Sequence, residues 1–162
     1  MFYTTLNTPV GSLRLFADDF ALYRISFPAG KIYFPEAALT PEDHLLLKRV
    51  KKQLGDYFDG SKQRFDLPLA VEVEGTAFQQ AVWKCMLEIP FGETRTYGEI
   101  AAALGNPNKA RAVGGAANKN PLPIVIPCHR VIGSSGRLTG FAGGLEVKRF
   151  LLALEGNASE LL

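Results

Sequence analysis

Cysteine and histidine are scarce in this chain, which has two of each among 162 residues. Two cysteines are too few for a disulfide framework, so we expect the reducing environment of the cytoplasm. The sequence contains no Cys-x-x-Cys pair, and His44 and His129 are far apart, so no metal site is expected. No apolar run approaches the roughly 18 residues of a membrane-spanning helix, and residues 1–5 lack the basic head and apolar core of a secretory signal.

Charge is also modest, with a formal net charge of +2, but it is unevenly distributed. Residues 1–75 carry nine Lys/Arg and ten Asp/Glu, whereas residues 76–162 carry nine Lys/Arg and six Asp/Glu. Between residues 89 and 140, six basic residues are accompanied by only two acidic ones. This local excess fits a polyanionic partner such as nucleic acid, because phosphate neutralisation supplies most non-specific affinity. It also fits an ordinary solvated face.

The first 75 residues predict a small α/β domain made of a strand meander and a helix. Alternating apolar and polar residues predict short antiparallel strands at 2–6, 11–17 and 20–27, with a further strand at 32–34. The run Thr40-Pro41-Glu42-Asp43 is typical of a helix start, and it precedes apolar residues at helical spacing. His44 would then lie, solvent-exposed, in the first turn of this helix. We expect a domain boundary near residue 75.

The remaining residues, 76–162, predict a mostly helical domain. Capping boxes at Thr76 and Thr96, each with Glu or Gln three residues later, mark two helix starts. The helix from Thr96 ends at Gly105, and Asn106 as N-cap with Pro107 behind it predicts another helix to about residue 118. Two short helices joined by a tight turn form a helix-turn-helix pattern, in which the second helix contacts DNA, although any helical corner looks similar.

The Gly- and Ser-rich residues 133–144 predict a loop, either a plain linker or one wall of a pocket. A last helix follows from Gly144 to Glu155. The helix dipole disfavours an acid at that end, so Glu155 either has a specific partner or lies in solvent. Cys85 falls in the apolar stripe of the helix after Thr76 and is expected to be an inert core thiol.

Residues 122–132 hold the most reactive combination of side chains in the chain. An apolar, β-branched run leads through Pro127 into Cys128, His129 and Arg130. This pattern predicts a thiol at the mouth of a buried strand, with cationic neighbours that favour its thiolate. Adjacent residues of an extended segment point to opposite faces, so His129 needs a turn after Cys128, or a bridging water, to act on the thiol.

Three explanations for such a Cys-His pair are open: a buried structural cysteine, a Cys-His acyl-transfer site, and direct alkyl transfer to sulfur. The helix-turn-helix pattern and the local positive charge favour the last. A hydrolase needs no DNA-binding motif, whereas a protein whose thiol reacts with a DNA base does.

A series of motifs in the second half of the chain occurs in the same order in one protein family. They are Phe91-Gly92-Glu93, Thr96-Tyr97-Gly98-Glu99-Ile100-Ala101, Gly105-Asn106-Pro107, Ala110-Arg111-Ala112-Val113-Gly114-Gly115-Ala116, Asn120-Pro121, Ile126-Pro127-Cys128-His129-Arg130-Val131-Ile132, Gly143-Gly144 and Leu151-Leu152-Ala153-Leu154-Glu155-Gly156. On these motifs, residues 76–156 resemble the C-terminal domain of the O6-alkylguanine-DNA alkyltransferases (methylated-DNA–protein-cysteine methyltransferases). Residues 1–75 are compatible with the N-terminal α/β domain of that family.

The resemblance implies a single-turnover DNA repair protein that flips out an O6-alkylated guanine and keeps the alkyl group. Cys128 would be the acceptor, His129 a base acting through water, Glu155 its orienting partner and Asn120 a brace for the turn. The resemblance also implies two further sets of site residues. The DNA-binding set is Tyr97, Arg111, Asn106, Ala112 and Ser134, with Tyr97 donating toward the guanine and Arg111 filling the gap in the stack. The substrate-pocket set is Val131, Phe141 and Ala142. Arg130 would be structural.

The implied partner is double-stranded DNA containing O6-alkylguanine, bound by a monomer that could act cooperatively on DNA, without a cofactor, a metal or a membrane. Phe141 departs from the family, which commonly has a tyrosine there, so alkyl-group preference could differ. The zinc ligands that some relatives carry in the N-terminal part have no counterpart here. The remaining rivals are alkyltransferase-like DNA-binding proteins, which lack the acceptor cysteine, and a Cys-His hydrolase.

Overall fold

The computed structural model describes residues 1–28, 34, 36–40 and 44–157. The chain divides into two compact units, Met1–Ala70 and Val71–Leu162, which we call the N-terminal and C-terminal units. The division lies five residues before the boundary expected near residue 75. A strand-rich first part and a helical second part confirm the predicted mixed α/β class.

The N-terminal unit is a four-stranded sheet with one helix packed against it. The strands are β1 (Phe2–Thr8), β2 (Gly11–Ala17), β3 (Leu22–Ser26) and β4 (Ala38–Leu39), in the spatial order β3-β2-β1-β4. The predicted antiparallel meander of β1, β2 and β3 is confirmed, and β4 adds a short parallel edge beside β1. Helix α1 (Leu45–Phe58) packs on β1 and β2 and buries Leu47, Val50 and Leu54 completely or nearly so.

Helix α1 starts later than the sequence pattern suggested. His44, not Thr40, is the N-cap, and its Nδ1 accepts the backbone N–H of Leu47 at 3.2 Å. The prediction that His44 is solvent-exposed is wrong: its side chain is 10% exposed, its Nε2 lies 3.3 Å from an Asp19 carboxylate oxygen, and its ring contacts Phe2. The other residues of the proposed start, 41–43, and residues 32 and 33 of the proposed fourth strand lie outside the described residues.

The C-terminal unit contains four α-helices and two very short strands among its described residues. These are α2 (Ala77–Leu87), β5 (Arg95–Thr96), α3 (Tyr97–Ala103), α4 (Ala110–Asn118), β6 (Val131–Ile132) and α5 (Leu145–Leu154), with a 3-10 turn at Cys128–Arg130. Both predicted capping boxes, at Thr76 and Thr96, are confirmed. The buried Trp83 indole donates to the Ala116 carbonyl at 2.8 Å and ties α2 to α4. Within the described residues, no helix is long and apolar enough to cross a membrane.

The helix-turn-helix pair α3 and α4 is present, but the predicted start of α4 is wrong. Asn106 belongs to the end of α3: its N–H donates to the Ala101 carbonyl at 2.9 Å, and Gly105 donates to Ala102 at 2.9 Å. With Gly105 at a φ of +80°, this is the Schellman arrangement that closes helices. The next helix begins only at Ala110, after one more turn, and its N-cap is Lys109 and not Asn106.

The buried segment before Cys128 is not the strand that its β-branched residues suggest. Residues 121–127 form turns, with only an isolated bridge between Pro123 and Ile126. Ile124 adopts a φ of +76°, a left-handed conformation that no extended strand contains. Three prolines in seven residues remove the N–H donors that a ladder needs, so packing rather than pairing holds this segment.

Candidate active site

Cys128 opens the 3-10 turn, and its backbone is fixed by the chain just before it. Its N–H donates to Ile126 at 2.8 Å, and the Arg130 N–H donates to Pro127 at 3.0 Å. The chain therefore turns at Cys128–Arg130, which is the first of the two alternatives considered for His129. The buried Asn120 holds the same segment from inside, with Nδ2 donating to the Ile126 carbonyl at 2.8 Å and Oδ1 accepting the Leu122 N–H at 2.9 Å.

The thiol of Cys128 is held in its neutral form, contrary to the expectation of a favoured thiolate. The residue is 5% exposed, and this burial raises the pKa of Cys128 to about 11. A hydrogen bond from Asn120 and the charge of Lys148 pull the pKa down, but they are smaller than desolvation. The thiol therefore needs a base when it reacts.

Glu155 joins the two residues that follow Cys128. His129 Nε2 lies 2.6 Å from one Glu155 carboxylate oxygen, and Arg130 reaches both oxygens, through Nε at 2.7 Å and Nη2 at 3.1 Å. His129 and Glu155 are fully buried as side chains, and Arg130 nearly so. A forked guanidinium-carboxylate pair is rigid as well as strong, so the carboxylate position is fixed before His129 uses it.

Phe91 and Gly92 pack around the same group of side chains. The Gly92 N–H donates to Glu155 at 3.2 Å, and Asn157 Nδ2 donates to the Gly92 carbonyl at 2.9 Å. Arg130 donates to the Ile89 carbonyl at 2.7 Å and lies over the Phe91 ring. The groups that donate to Glu155 are the Gly92 N–H, the His129 ring and the Arg130 guanidinium. They compensate the unfavourable helix end, so Glu155 has the specific partners that the sequence left open.

His129 is placed as a neutral base. Burial lowers its pKa and outweighs the opposite effect of Glu155. Because its Nε2–H donates to the carboxylate, Nδ1 is the ring nitrogen that can accept a proton. Nδ1 is buried and has no hydrogen-bond partner among the described residues.

A cavity of about 510 Å³ lies between the helix-turn-helix and the glycine-rich loop. Its lining is Tyr97, Gly98, Ala110, Arg111, Gly114, Gly115, Asn118, Ser134, Thr139 and Gly140. Three residues of the DNA-binding set, Tyr97, Arg111 and Ser134, thus come together on one cavity. A Cβ on Gly114 would lie 3.8 Å from the Tyr97 ring, while Gly115 faces open space.

Other members of the two implied sets do not line that cavity. Asn106 and Ala112 are exposed, and Asn106 is bound to the end of α3. Phe141 is half-buried and Ala142 is exposed. Val131 is buried, and its carbonyl accepts a hydrogen bond from Lys148 at 2.7 Å.

Lys148 is a part of the site that sequence reasoning missed. Its side chain is completely buried, and its ammonium donates to the carbonyls of Val131 at 2.7 Å and Thr139 at 3.4 Å. It lies 5.8 Å from the Tyr97 ring centroid, and burial lowers the pKa of Lys148 to about 8. The available signal was its spacing, since Lys148 lies three and four residues before Leu151 and Leu152 and so falls on the buried stripe of α5.

The second cysteine lies apart from these groups. Cys85 is half-buried rather than fully buried, and desolvation, then the charge of Glu88, raises its pKa. Among residues 1–28, 34, 36–40 and 44–157, no three His, Cys, Asp or Glu side chains cluster so as to hold a metal ion.

Comparison with known proteins places both halves of the chain in one family. Residues 1–71 match the model of the 6-O-methylguanine DNA methyltransferase ribonuclease-like domain, and residues 77–157 match that of its DNA binding domain. The methylated-DNA–protein-cysteine methyltransferase of Methanosarcina acetivorans is 47% identical, covering 97% of this chain and 99% of its own. The Haemophilus influenzae protein of the same name is 45% identical, covering 96% and 86%. The crystal structure of Mycobacterium tuberculosis OGT in complex with DNA is 42% identical with a TM-score of 0.88, covering 99% of this chain and 95% of that one. This chain belongs to the 6-O-methylguanine DNA methyltransferase family.

Proposed function

We propose that this protein repairs O6-alkylguanine, chiefly O6-methylguanine, in double-stranded DNA by moving the alkyl group irreversibly onto Cys128. The observation that carries the proposal is the buried series of a neutral thiol, a neutral imidazole and a carboxylate, in the same unit as a helix-turn-helix with a cavity. The full-length relatives are named for this transfer, and one structural relative was solved with DNA. Residues 76–162 would form the DNA-binding and alkyl-acceptor domain, and residues 1–75 the α/β domain.

DNA would bind along the exposed face of α4. Beside Arg111 this face carries the small residues Ala112 and Gly115, so the helix can approach a groove closely there. The lesion must leave the base stack to reach the sulfur, and Arg111 would take its place. Asn106 and Ser134 would add contacts beside the groove. The 510 Å³ cavity beside Arg111 is within the range of pockets that enclose small ligands. Cys128, Val131, Phe141 and Ala142 do not line it, so the flipped base would pass through this cavity and beyond it to reach the sulfur.

The transfer would be one displacement. The sulfur of Cys128 attacks the alkyl carbon, the new S–C bond forms as the C–O6 bond breaks, and the electron pair leaves with guanine. The thiol proton passes through a water to His129 Nδ1, and Glu155 stabilises the resulting imidazolium. The Tyr97 hydroxyl donates a hydrogen bond to the departing base, and Val131, Phe141 and Ala142 border that base. A thioether cannot release the alkyl group, so each molecule acts once.

A cytoplasmic location is part of the proposal. Cys85 and Cys128 are both free thiols, as a reducing compartment would keep them.

The test is a duplex carrying one O6-[methyl-³H]methylguanine. One label per protein should appear on the peptide containing Cys128, with none in Cys128→Ser. Cys85→Ser is the matched control and should label fully. Absence of label, label on another residue, or repeated turnover would overturn the proposal.

The role of Arg111 is tested separately. Arg111→Ala should slow transfer from duplex DNA by at least tenfold, yet leave transfer from free O6-methylguanine within twofold. This range corresponds to roughly 1.4 kcal/mol or more of lost stabilisation. Equal losses on both substrates would exclude a role in extrusion.

A further inference from the structure

The glycine-rich loop is connected to the helix-turn-helix by one side-chain hydrogen bond. The Thr139 hydroxyl donates to the Tyr97 hydroxyl oxygen across 2.7 Å, linking residues 42 positions apart. Tyr97 is the first residue of α3 and Thr139 lies within loop residues 133–144. Both line the 510 Å³ cavity.

Thr139 is held on its other side as well. Its carbonyl accepts a hydrogen bond from the Lys148 ammonium at 3.4 Å, and the same ammonium donates to Val131 in β6 at 2.7 Å. Lys148 is completely buried and lies on α5, so it is a rigid anchor for the loop. The Thr139 hydroxyl is thereby presented to Tyr97 by the fold.

The direction of the Thr139–Tyr97 bond decides where the phenolic proton points. A tyrosine hydroxyl has a single hydrogen and can also accept. Each hydroxyl can rotate to donate or to accept; in the arrangement in which Thr139 donates, the oxygen of Tyr97 accepts and its own hydrogen is available for the cavity. If Tyr97 were the donor instead, that hydrogen would be spent on the protein.

We propose that Thr139 is a positioning residue for alkyl transfer, whose hydroxyl leaves the Tyr97 proton directed at the alkylated base. This inference rests on the proposed function. Negative charge develops on the guanine as its C–O6 bond breaks, so a preoriented donor stabilises the transition state more than the bound substrate. The hydrogen bond from Thr139 also lowers the pKa of Tyr97, against the larger upward effect of burial, which makes the phenol a better donor.

The pair lies at the cavity rim and is accessible to solvent in the free protein. A base entering the cavity would exclude water from it. The Thr139–Tyr97 hydrogen bond would therefore contribute more free energy when substrate is bound than it contributes to folding of the free protein. This difference distinguishes a positioning role from a structural one.

The experiment measures single-turnover methyl transfer at saturating duplex DNA. Thr139→Val keeps the β-branched shape and removes the donor, and should slow transfer by about fivefold, the effect of one net hydrogen bond. Thr139→Ser keeps the donor and should stay within about twofold of wild type, a difference below the net effect of one hydrogen bond. DNA affinity and the melting temperature should be unchanged in both variants.

A double-mutant cycle identifies the route. In a Tyr97→Phe background, Thr139→Val should cause no further loss, because its effect passes through the missing hydroxyl. This inference alone would be overturned if the wild type transfers methyl and Thr139→Val transfers it as fast. It would also be overturned if Thr139→Val slows transfer equally with and without the Tyr97 hydroxyl. A wild-type protein that accepts no methyl group would overturn the proposed function, and this inference with it.

Discussion

The protonation state of Cys128 can be measured directly and separates two ways of activating a thiol. Burial raises its pKa from the usual 9.0 to about 11, a preference of about 3 kcal/mol for the neutral form. At pH 7.5 only about one molecule in three thousand would then hold a thiolate. A thiol activated in advance by cationic neighbours would instead have a pKa well below 8.

The assay is a titration of ¹³Cβ-labelled cysteine by NMR in Cys85→Ser, which leaves Cys128 as the only cysteine. The Cys128 signal should not move between pH 6 and 9, and any change should begin only above pH 9.5. Urea-unfolded protein is the internal reference, because its thiol should titrate near its ordinary value. A midpoint below pH 8 in the folded protein would refute the argument that desolvation dominates at this site.

Three other expectations follow from the same cluster and from α4. Glu155→Gln leaves Arg130 with an uncompensated buried charge, so urea unfolding should show a free energy of unfolding lower by about 3 kcal/mol. The control Glu146→Gln changes an exposed carboxylate and should alter stability by less than about 0.5 kcal/mol. Equal effects of the two substitutions would contradict the burial argument. The rate of methyl transfer should stay constant as the pH falls to 6.5 and should decline only below that value. Burial lowers the pKa of His129 from 6.5, so the imidazole stays neutral above it. A rate that already declines near pH 7.5 would count against a neutral base. Gly115→Leu adds a side chain where the fold leaves open space, so it should obstruct DNA without lowering thermal stability. Duplex affinity in a fluorescence titration should fall at least tenfold, or about 1.4 kcal/mol. Unchanged affinity would show that this face of α4 is not part of the DNA interface.

Elements set by neighbouring residues could be predicted from the sequence. In the capping boxes at Thr76 and Thr96, side chains satisfy helix N–H groups only three positions away. All the residues that define these helix starts are therefore adjacent in the sequence. The period-two alternation of the first three strands likewise gave the antiparallel meander. The family motifs located Cys128, His129 and Glu155, and the structure brings the last two together.

Elements set by distant contacts could not be predicted in this way. The Asn106-Pro107 pair has the residues of a helix start, but Asn106 is already bound to the preceding helix. His44 replaces a better cap because Asp19 and Phe2 hold its ring. Lys148 was missed because a lysine is ordinarily exposed, and the carbonyls of Val131 and Thr139, which offset the cost of burying its ammonium, are distant in sequence.

The neutral, buried thiol has a consequence for the chemical lifetime of the protein before it meets DNA. Peroxides oxidise cysteine as the thiolate, and accessible low-pKa thiols are the ones lost to sulfenic and sulfinic acids. Cys128, at 5% exposure and a pKa of about 11, is a poor target for them. Oxidation to sulfinic acid is irreversible, so burial keeps Cys128 in the reduced form that the proposed transfer requires.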